Sequence, residues 1–508
     1  MKTKLLFCLV ITMIVTSFTA FAQAPAIDWQ KSMGGTKEDK AISTKQTPDG
    51  GYIVAGLTRS SDGDVFVNHG KNDFWVVKQD AQGNIQWSNS FGGSQNDEAY
   101  FISLTSDDAY IVAGLSYSDD GDATVNHGDA DYWIVKIDAI GNLQWQKSFG
   151  GSGFDKANCI EQTSGGGYII AGYSTSVDGD VTGNHGKRDF WVVKITDAGD
   201  MEWQKTLGGS YNEKAYSIKE TPDGGYVVFG FSGSNDGDVT NNHGGFDYWL
   251  TKINSSGNLE WQKTYGGTQS DIGAVLALDA DGYVLTGQSK SSDGDATYNN
   301  GGYDYWTVKT DFDGNLQWQK SYGGSSEDIA YSVAKTTGNG YIINGSSTSV
   351  DGDVTGNHGI KDAWVVKLHS DGSFNWGLSL GGTAKDGGSF VEQTTDGGYI
   401  ATCTSGSNDG DVNGNHGDDD YWLVKLDADF ATGVPMVSNK QSVYPNPFCD
   451  YIMFPSNIKD VKITDWIGRV IKKEVFNNMV NTEDLPPGVY IAEFTSNGEK
   501  NIMKLIKQ

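Results

Sequence analysis

The sequence predicts an all-β ring of seven four-stranded blades, on three observations: a tandem period, four short strands within each period, and two array ends that complement each other. Trp29, Trp87, Trp145, Trp203, Trp261, Trp318 and Trp376 form one series, and Trp75, Trp133, Trp191, Trp249, Trp306, Trp364 and Trp422 form a second. The spacing is 58 residues, with one step of 57 in each series, so 14 of the 15 tryptophans obey a seven-fold repeat. Such a period places one supersecondary unit per repeat, stacked on its neighbours.

One repeat shows the elements in order. Ala41-Ile42-Ser43-Thr44-Lys45-Gln46 reads as a first strand, and Pro48-Asp49-Gly50-Gly51 as a turn. Tyr52-Ile53-Val54-Ala55-Gly56 is continuously apolar, as expected of a strand covered on both faces. A polar loop from Thr58 to Asn72 leads to the third strand, Phe74-Trp75-Val76-Val77-Lys78; the turn Asp80-Ala81-Gln82-Gly83-Asn84 leads to a fourth beginning Ile85-Gln86-Trp87. Four-stranded units repeated around an axis make a β-propeller, which leaves no long free sheet edge. The array begins with a lone fourth-type strand, Ile27-Asp28-Trp29-Gln30-Lys31-Ser32, and its last repeat lacks one. The strand around Trp29 is therefore expected to pair with that around Trp422 and complete blade seven. Both tryptophan series are expected to be buried between blades, each ring removing roughly 150–250 Å² from water.

Lys2 and Lys4, an apolar run from Leu5 to Phe21, and Ala20-Phe21-Ala22 read as a cleaved secretory signal over residues 1–22. Cys8 lies inside the apolar run, which does not suit a lipoprotein anchor, and no later stretch has the length and apolarity of a membrane span. Cys159, Cys403 and Cys449 make no disulfide framework. A formal charge of −28 argues against nucleic acid or anionic lipid as partner, and is compatible with divalent cations.

The pattern W-x-x-x-x-G-G-x-x-x-D-x-A, D-G-G-Y-I-V-A-G, D-x-W-V-V-K-x-D and G-N-x-x-W, over residues 27–426, resembles the bacterial β-propeller repeat family of secreted proteins and, more loosely, the kelch arrangement. That resemblance implies a propeller over residues 23–426 and an extracellular location, with no single activity. In residues 441–508 the period stops. Val443-Tyr444-Pro445-Asn446-Pro447-Phe448, Ile463-Thr464-Asp465-Trp466-Ile467-Gly468-Arg469, Leu485-Pro486-Pro487-Gly488-Val489-Tyr490 and Lys504-Leu505-Ile506-Lys507 are similar to the type A sorting domain of the type IX secretion system. The resemblance implies that this segment engages the type IX machinery, giving a secreted or outer-surface protein. From its residues alone it reads as a small β-sandwich, and residues 427–440 as a linker and cleavage zone.

Propeller topology sends the segment before the first strand and the long loop to one face. In the loop, Asp62, Asp64, Asn68 and Asp73 recur in every repeat, for example as Asp178, Asp180, Asn184 and Asp189. Clustered oxygen ligands suit Ca²⁺, although the loop is not an EF-hand; the alternative is metal-free Asx turns that hold the loop in shape. A His series (His69, His127, His185, His243, His358, His416) has Asn300 in one repeat, which disfavours a transition metal. A second acidic series, Asp39, Asp97, Asp155, Glu213, Asp271, Asp328 and Asp386, precedes the first strands. If those strands line the channel, it rings one mouth, as a cation site or as loop-capping acceptors.

Residues repeated seven times serve architecture or multivalent binding, whereas catalysis needs one asymmetric constellation. Arg59, Arg188, His369 and Lys385 break the repeat but look scattered, and no catalytic signature is present. The loop tips vary, with Phe66, Phe246 and Tyr298 among them. The reading is a secreted or surface-displayed binding or adhesion protein for a glycan or a surface protein. The alternatives are an extracellular, endoglucanase-like polysaccharide hydrolase and a structural surface-layer component.

Overall fold

The computed structural model describes residues 23–429 and, further on, 451–454, 458–465, 469–472, 479–496 and 499–507. The expected signal segment, Cys449, the motif at 443–448 and most of the expected linker lie outside the described residues. The chain divides into two compact units, Met1–Asp429 and Phe430–Gln508.

The first unit is seven four-stranded antiparallel sheets. Blade one consists of Asp39–Gln46, Tyr52–Thr58, Asp73–Gln79 and Ile85–Phe91, paired in that order. Its second and third strands are buried at every position, because neighbouring blades cover both faces. In blade seven, Asp386–Gln393, Tyr399–Ser405 and Asp420–Leu426 are completed by the N-terminal strand Ile27–Met33, with Ser32 opposite Trp422 and Trp29 opposite Lys425. The ring then joins blade seven to blade one: Tyr421 Oη donates to Trp75 O at 2.9 Å, and Gln46 N to Glu392 Oε1 at 2.5 Å.

The third-strand tryptophans are fully buried, and all but Trp422 pack at a tilt on an aromatic of the preceding blade's third strand, as Trp191 does on Tyr132 with centroids 4.3 Å apart; before Trp422 that position is Ala363. In most blades the indole N–H donates to a glutamine of the same blade's fourth strand: Trp133 to Gln146 at 3.0 Å, Trp249 to Gln262 at 2.9 Å. Blade six has Gly377 at that position, and Trp364 Nε1 is buried without an acceptor.

The other series corrects an expectation. Its rings are half-buried, Trp376 excepted, because the fourth strand is the outer edge of its blade and only one face is covered. Each lies against the tyrosine that opens the next blade's second strand, at 5.7 Å for Trp29 and Tyr52. Each except Trp376 also covers a turn glycine of that next blade. Gly141, with φ of 88°, sits where a Cβ would come within 3.0 Å of Trp87 Cε3.

The first strands line the channel, and every one carries a β-bulge two to three residues in, as between Ala41 and Ser43 or Ala99 and Phe101. The C-terminal unit has a four-stranded sheet of Val470–Lys472, Ile458–Asp465, Gly488–Ser496 and Glu499–Lys507, and a pair, Tyr451–Met453 with Met479–Asn481. Ile452, Ile463, Val480, Ala492 and Leu505 share its core.

Candidate functional site

The four oxygen-bearing side chains of each long loop do not converge. Asp62 accepts from Thr36 N and Thr36 Oγ1, both at 2.8 Å, and Asp64 from Gly34 N at 3.2 Å, so these two clasp the Gly-Gly segment before the first strand. Asn68 accepts from Gly70 N at 3.0 Å, and Asp73 Oδ2 from both His69 N and His69 Nδ1 at 2.7 Å. In blade three Asp178 accepts from Ser152 N, Asp180 from Gly150 N, Asn184 from Gly186 N and Asp189 from His185. Two side chains clamp the neighbouring segment and two brace the end of the loop. Among the described residues no group of three or more His, Cys, Asp or Glu is placed to hold a metal ion, and the loop oxygens take N–H and O–H donors as the metal-free turns would.

The seven carboxylates before the first strands, Asp39, Asp97, Asp155, Glu213, Asp271, Asp328 and Asp386, are wholly buried and accept hydrogen bonds as loop-capping acceptors would. Asp39 takes Gly35 N at 2.8 Å, Ser60 Oγ at 2.8 Å and the Thr58 hydroxyl; Glu213 takes Gly209 N and Ser232 Oγ. These side chains tie the Gly-Gly segment to the end of the second strand, and solvent does not reach them.

The second oxygen of each third-strand aspartate, Asp73 Oδ1 and its counterparts in Asp131, Asp189, Asp247, Asp304, Asp362 and Asp420, is buried with no hydrogen-bond partner. It faces the next blade. A Cβ on Gly92 would lie 2.8 Å from Asp73 Oδ1 and 2.7 Å from Asp97 Oδ2, so only glycine fits between the two acids. Burial pushes the third-strand carboxyls up, to about 6 in Asp189 and Asp420 and about 7 in Asp304.

The asymmetric site lies where the repeat is not kept. Each first-strand bulge turns one extra residue toward the channel, and these residues are Ile42, Tyr100, Asn158, Tyr216, Ala274, Tyr331 and Ser389. They line a cavity of about 620 Å³ that also receives Lys156, Lys214 and Arg188. Lys156 Nζ sits 3.3 Å from the centroid of the Tyr100 ring, Lys214 Nζ 5.1 Å from that of Tyr173, and Arg188 Cζ 5.8 Å from Tyr173. Among the described residues neither ammonium has a hydrogen-bond acceptor or an ion-pair partner, and Arg188 Nε is buried without one. Burial pulls Lys156 down to about 7, with the Glu98 carboxylate opposing and the Lys214 charge adding; burial and then Arg188 lower Lys214. Glu98 is itself engaged by the Tyr100 hydroxyl and by Asn72 Nδ2.

Deeper in the channel, Lys45 pairs with Glu392 at 3.4 Å and lies 4.6 Å from the Phe390 centroid, while Lys219 pairs with Glu161. Both ion pairs join neighbouring blades at the far ends of their first strands.

Three residues that looked scattered fall on the loop face. Arg188 enters the mouth, Arg59 bonds Glu38 at 2.7 Å, and Lys385 bridges to Lys361 through the backbone; His369 sits in a tight turn on the other face. Phe246 packs on Phe231 at 4.9 Å and lines the mouth, whereas Phe66 and Tyr298 are exposed on the loops. Sequence reasoning passed over Tyr100, Asn158, Tyr216 and Tyr331; the signal was the loss of repetition at one first-strand position.

Residues 442–508 match the family model described as a secretion system C-terminal sorting domain. "Regulatory protein FlaEY" of Caulobacter vibrioides is 24% identical over 391 residues, covering 66% of this chain. The chain spans 39% of that relative's length. Similar solved structures include Sqt1 from Chaetomium thermophilum (10% identity, TM-score 0.43, 79% of this chain and 100% of that one). Another is the Neurospora crassa Pan2 WD40 domain (9% identity, TM-score 0.43, 76% and 89%). With seven four-stranded blades in one unit and the sorting domain after it, the chain is a β-propeller repeat protein exported by the type IX secretion system to the cell surface or the extracellular space.

Proposed function

We propose that the exported propeller is a binding or adhesion protein that holds a group of a glycan or surface protein in the channel mouth on its loop face. One observation carries this reading: the residues repeated seven times are spent on blade packing and loop clamps, while the unrepeated bulge residues meet around one cavity of about 620 Å³. A concave, mostly pre-formed pocket with a few convergent polar groups is what a ligand site requires. The test applies the full chain to a glycan array and a panel of surface proteins, beside Tyr216→Ala, Lys156→Ala and Phe66→Ala. Mouth substitutions are expected to weaken binding at least tenfold, about 1.4 kcal/mol, and Phe66→Ala to leave it unchanged. The reverse pattern would move the site to the loop tips. Hydrolysis of a bound polysaccharide in the same assay would point to the enzyme alternative.

A further inference from the structure

We infer that the group held at the mouth is the carboxylate of an acidic sugar, received by Lys156, Lys214 and Arg188. The inference rests on the reading of the mouth as the binding site and names its ligand class.

Three cations from blades three and four converge on one cavity. Like charges held together and partly removed from water cost energy unless an anion joins them. Among the described residues no carboxylate forms an ion pair that supplies that anion. Neither ammonium has an ion-pair partner among the described residues, and the carboxylate at hand, Glu98, is turned to Tyr100 and Asn72. Arg188 Nη1 reaches Asn212 Oδ1 at 3.4 Å, but its Nε is buried and unfilled. This arrangement occurs in a chain whose formal charge is −28, so the cations are a local exception to the field around them. A long polyanion would be repelled by the rest of the surface; one acidic unit at a chain end would meet the three cations alone.

The surroundings of the cations favour a sugar. Tyr216 and Tyr331 bring rings to the cavity and Asn158 and Asn212 bring amides, groups that pack on a sugar ring and hydrogen-bond to its hydroxyls. A peptide terminus offers the same carboxylate but adds N–H donors to a mouth already rich in unfilled donors.

The full chain is titrated by calorimetry with glucuronate- and galacturonate-terminated disaccharides and their neutral counterparts, and with one peptide carrying either a free or an amidated C-terminus. Lys156→Gln, Lys214→Gln, Arg188→Gln and Tyr216→Ala are compared with Lys147→Gln on an outer strand. The expected result is one site per chain, at least tenfold preference for the uronate, a tenfold or greater loss in each cation variant, and no change with Lys147→Gln. Neutral sugars binding as well as uronates and ignoring the cation variants, yet losing affinity with Tyr216→Ala, would overturn the anion while leaving the mouth as the site. Preference for the free peptide terminus would overturn the sugar. Uronate binding untouched by all four mouth variants would overturn the mouth reading as well, and failure of every probe to bind would overturn the acidic sugar.

Discussion

Asn300 shows what its histidine counterparts do. Where histidine stands, its Nδ1 bonds the third-strand aspartate, as at 2.6 Å between His127 and Asp131. Asn300 instead donates Nδ2 to Gly323 O at 3.1 Å, and Asp304 keeps only the backbone N–H of Asn300. Burial, with Asp328 and Asp353 adding, raises Asp304 to about 7. A folded-state value above the unfolded one, about 3.9, means that folding takes up a proton; the stabilisation is complete below about pH 4 and is lost as pH rises through 7. Asp189, Asp247 and Asp420, each about 6, act in the same direction. The propeller is therefore expected to unfold at a higher denaturant midpoint at pH 5 than at pH 7.5; equal midpoints would refute this. Below about pH 4 the slope reverses as groups such as Asp223, held near 2 by hydrogen bonds from Thr221 and Lys252, take up protons. Asn300→His should stabilise the fold at pH 7.5 by about 1 kcal/mol and by less at pH 5. Calcium or a chelator should leave the thermal midpoint unmoved, since the loop carboxylates already hold N–H donors; a rise of several degrees with calcium would show that the loops bind the metal. The recurrence of Asp62, Asp64, Asn68 and Asp73 was plain in the sequence. Their separation was not, because spacing along a loop does not say whether oxygens point at one another or at backbone amides.

Within a blade, the pairing of buried indole with fourth-strand glutamine is the testable contact. Gln262→Leu leaves Trp249 Nε1 buried without an acceptor and should cost about 1–3 kcal/mol, read from denaturant unfolding. A cost near zero would mean that the indole finds another acceptor. Gly141→Ala meets both a positive φ and the Trp87 ring, and should destabilise more than alanine at Gly165, which has open space. Strand order and turns were legible because short apolar runs bounded by Gly turns are local signals. The unequal burial of the two tryptophan series was not, since a fixed period reports only that a position is kept. The bulge was hidden too: in Ala41 to Gln46 nothing marks Ile42 as the extra residue, and the opposing register that makes it so is tertiary.

At the level of the whole ring, closure depends on the strand Ile27–Met33, as the complementary array ends suggested. Deleting residues 23–33 exposes the edge of Asp420–Leu426, and is expected to produce concentration-dependent association and a broadened unfolding transition, both reversed by the free Ile27–Met33 peptide. A monomeric, cooperatively unfolding deletion variant would show that the other six blades close without it. The clasp also has a mechanical meaning. Ile27 lies opposite Leu426, and Asp427 N donates to Ala26 O at 3.0 Å, so the ring's first and last residues sit side by side. Tension drawn between the two would load the hydrogen bonds of this ladder one after another, like a zipper, where a pull along the strands would load them together. Blade seven is thus the ring's weak link under force, and a tethered molecule would yield there before any blade whose four strands are contiguous in the chain.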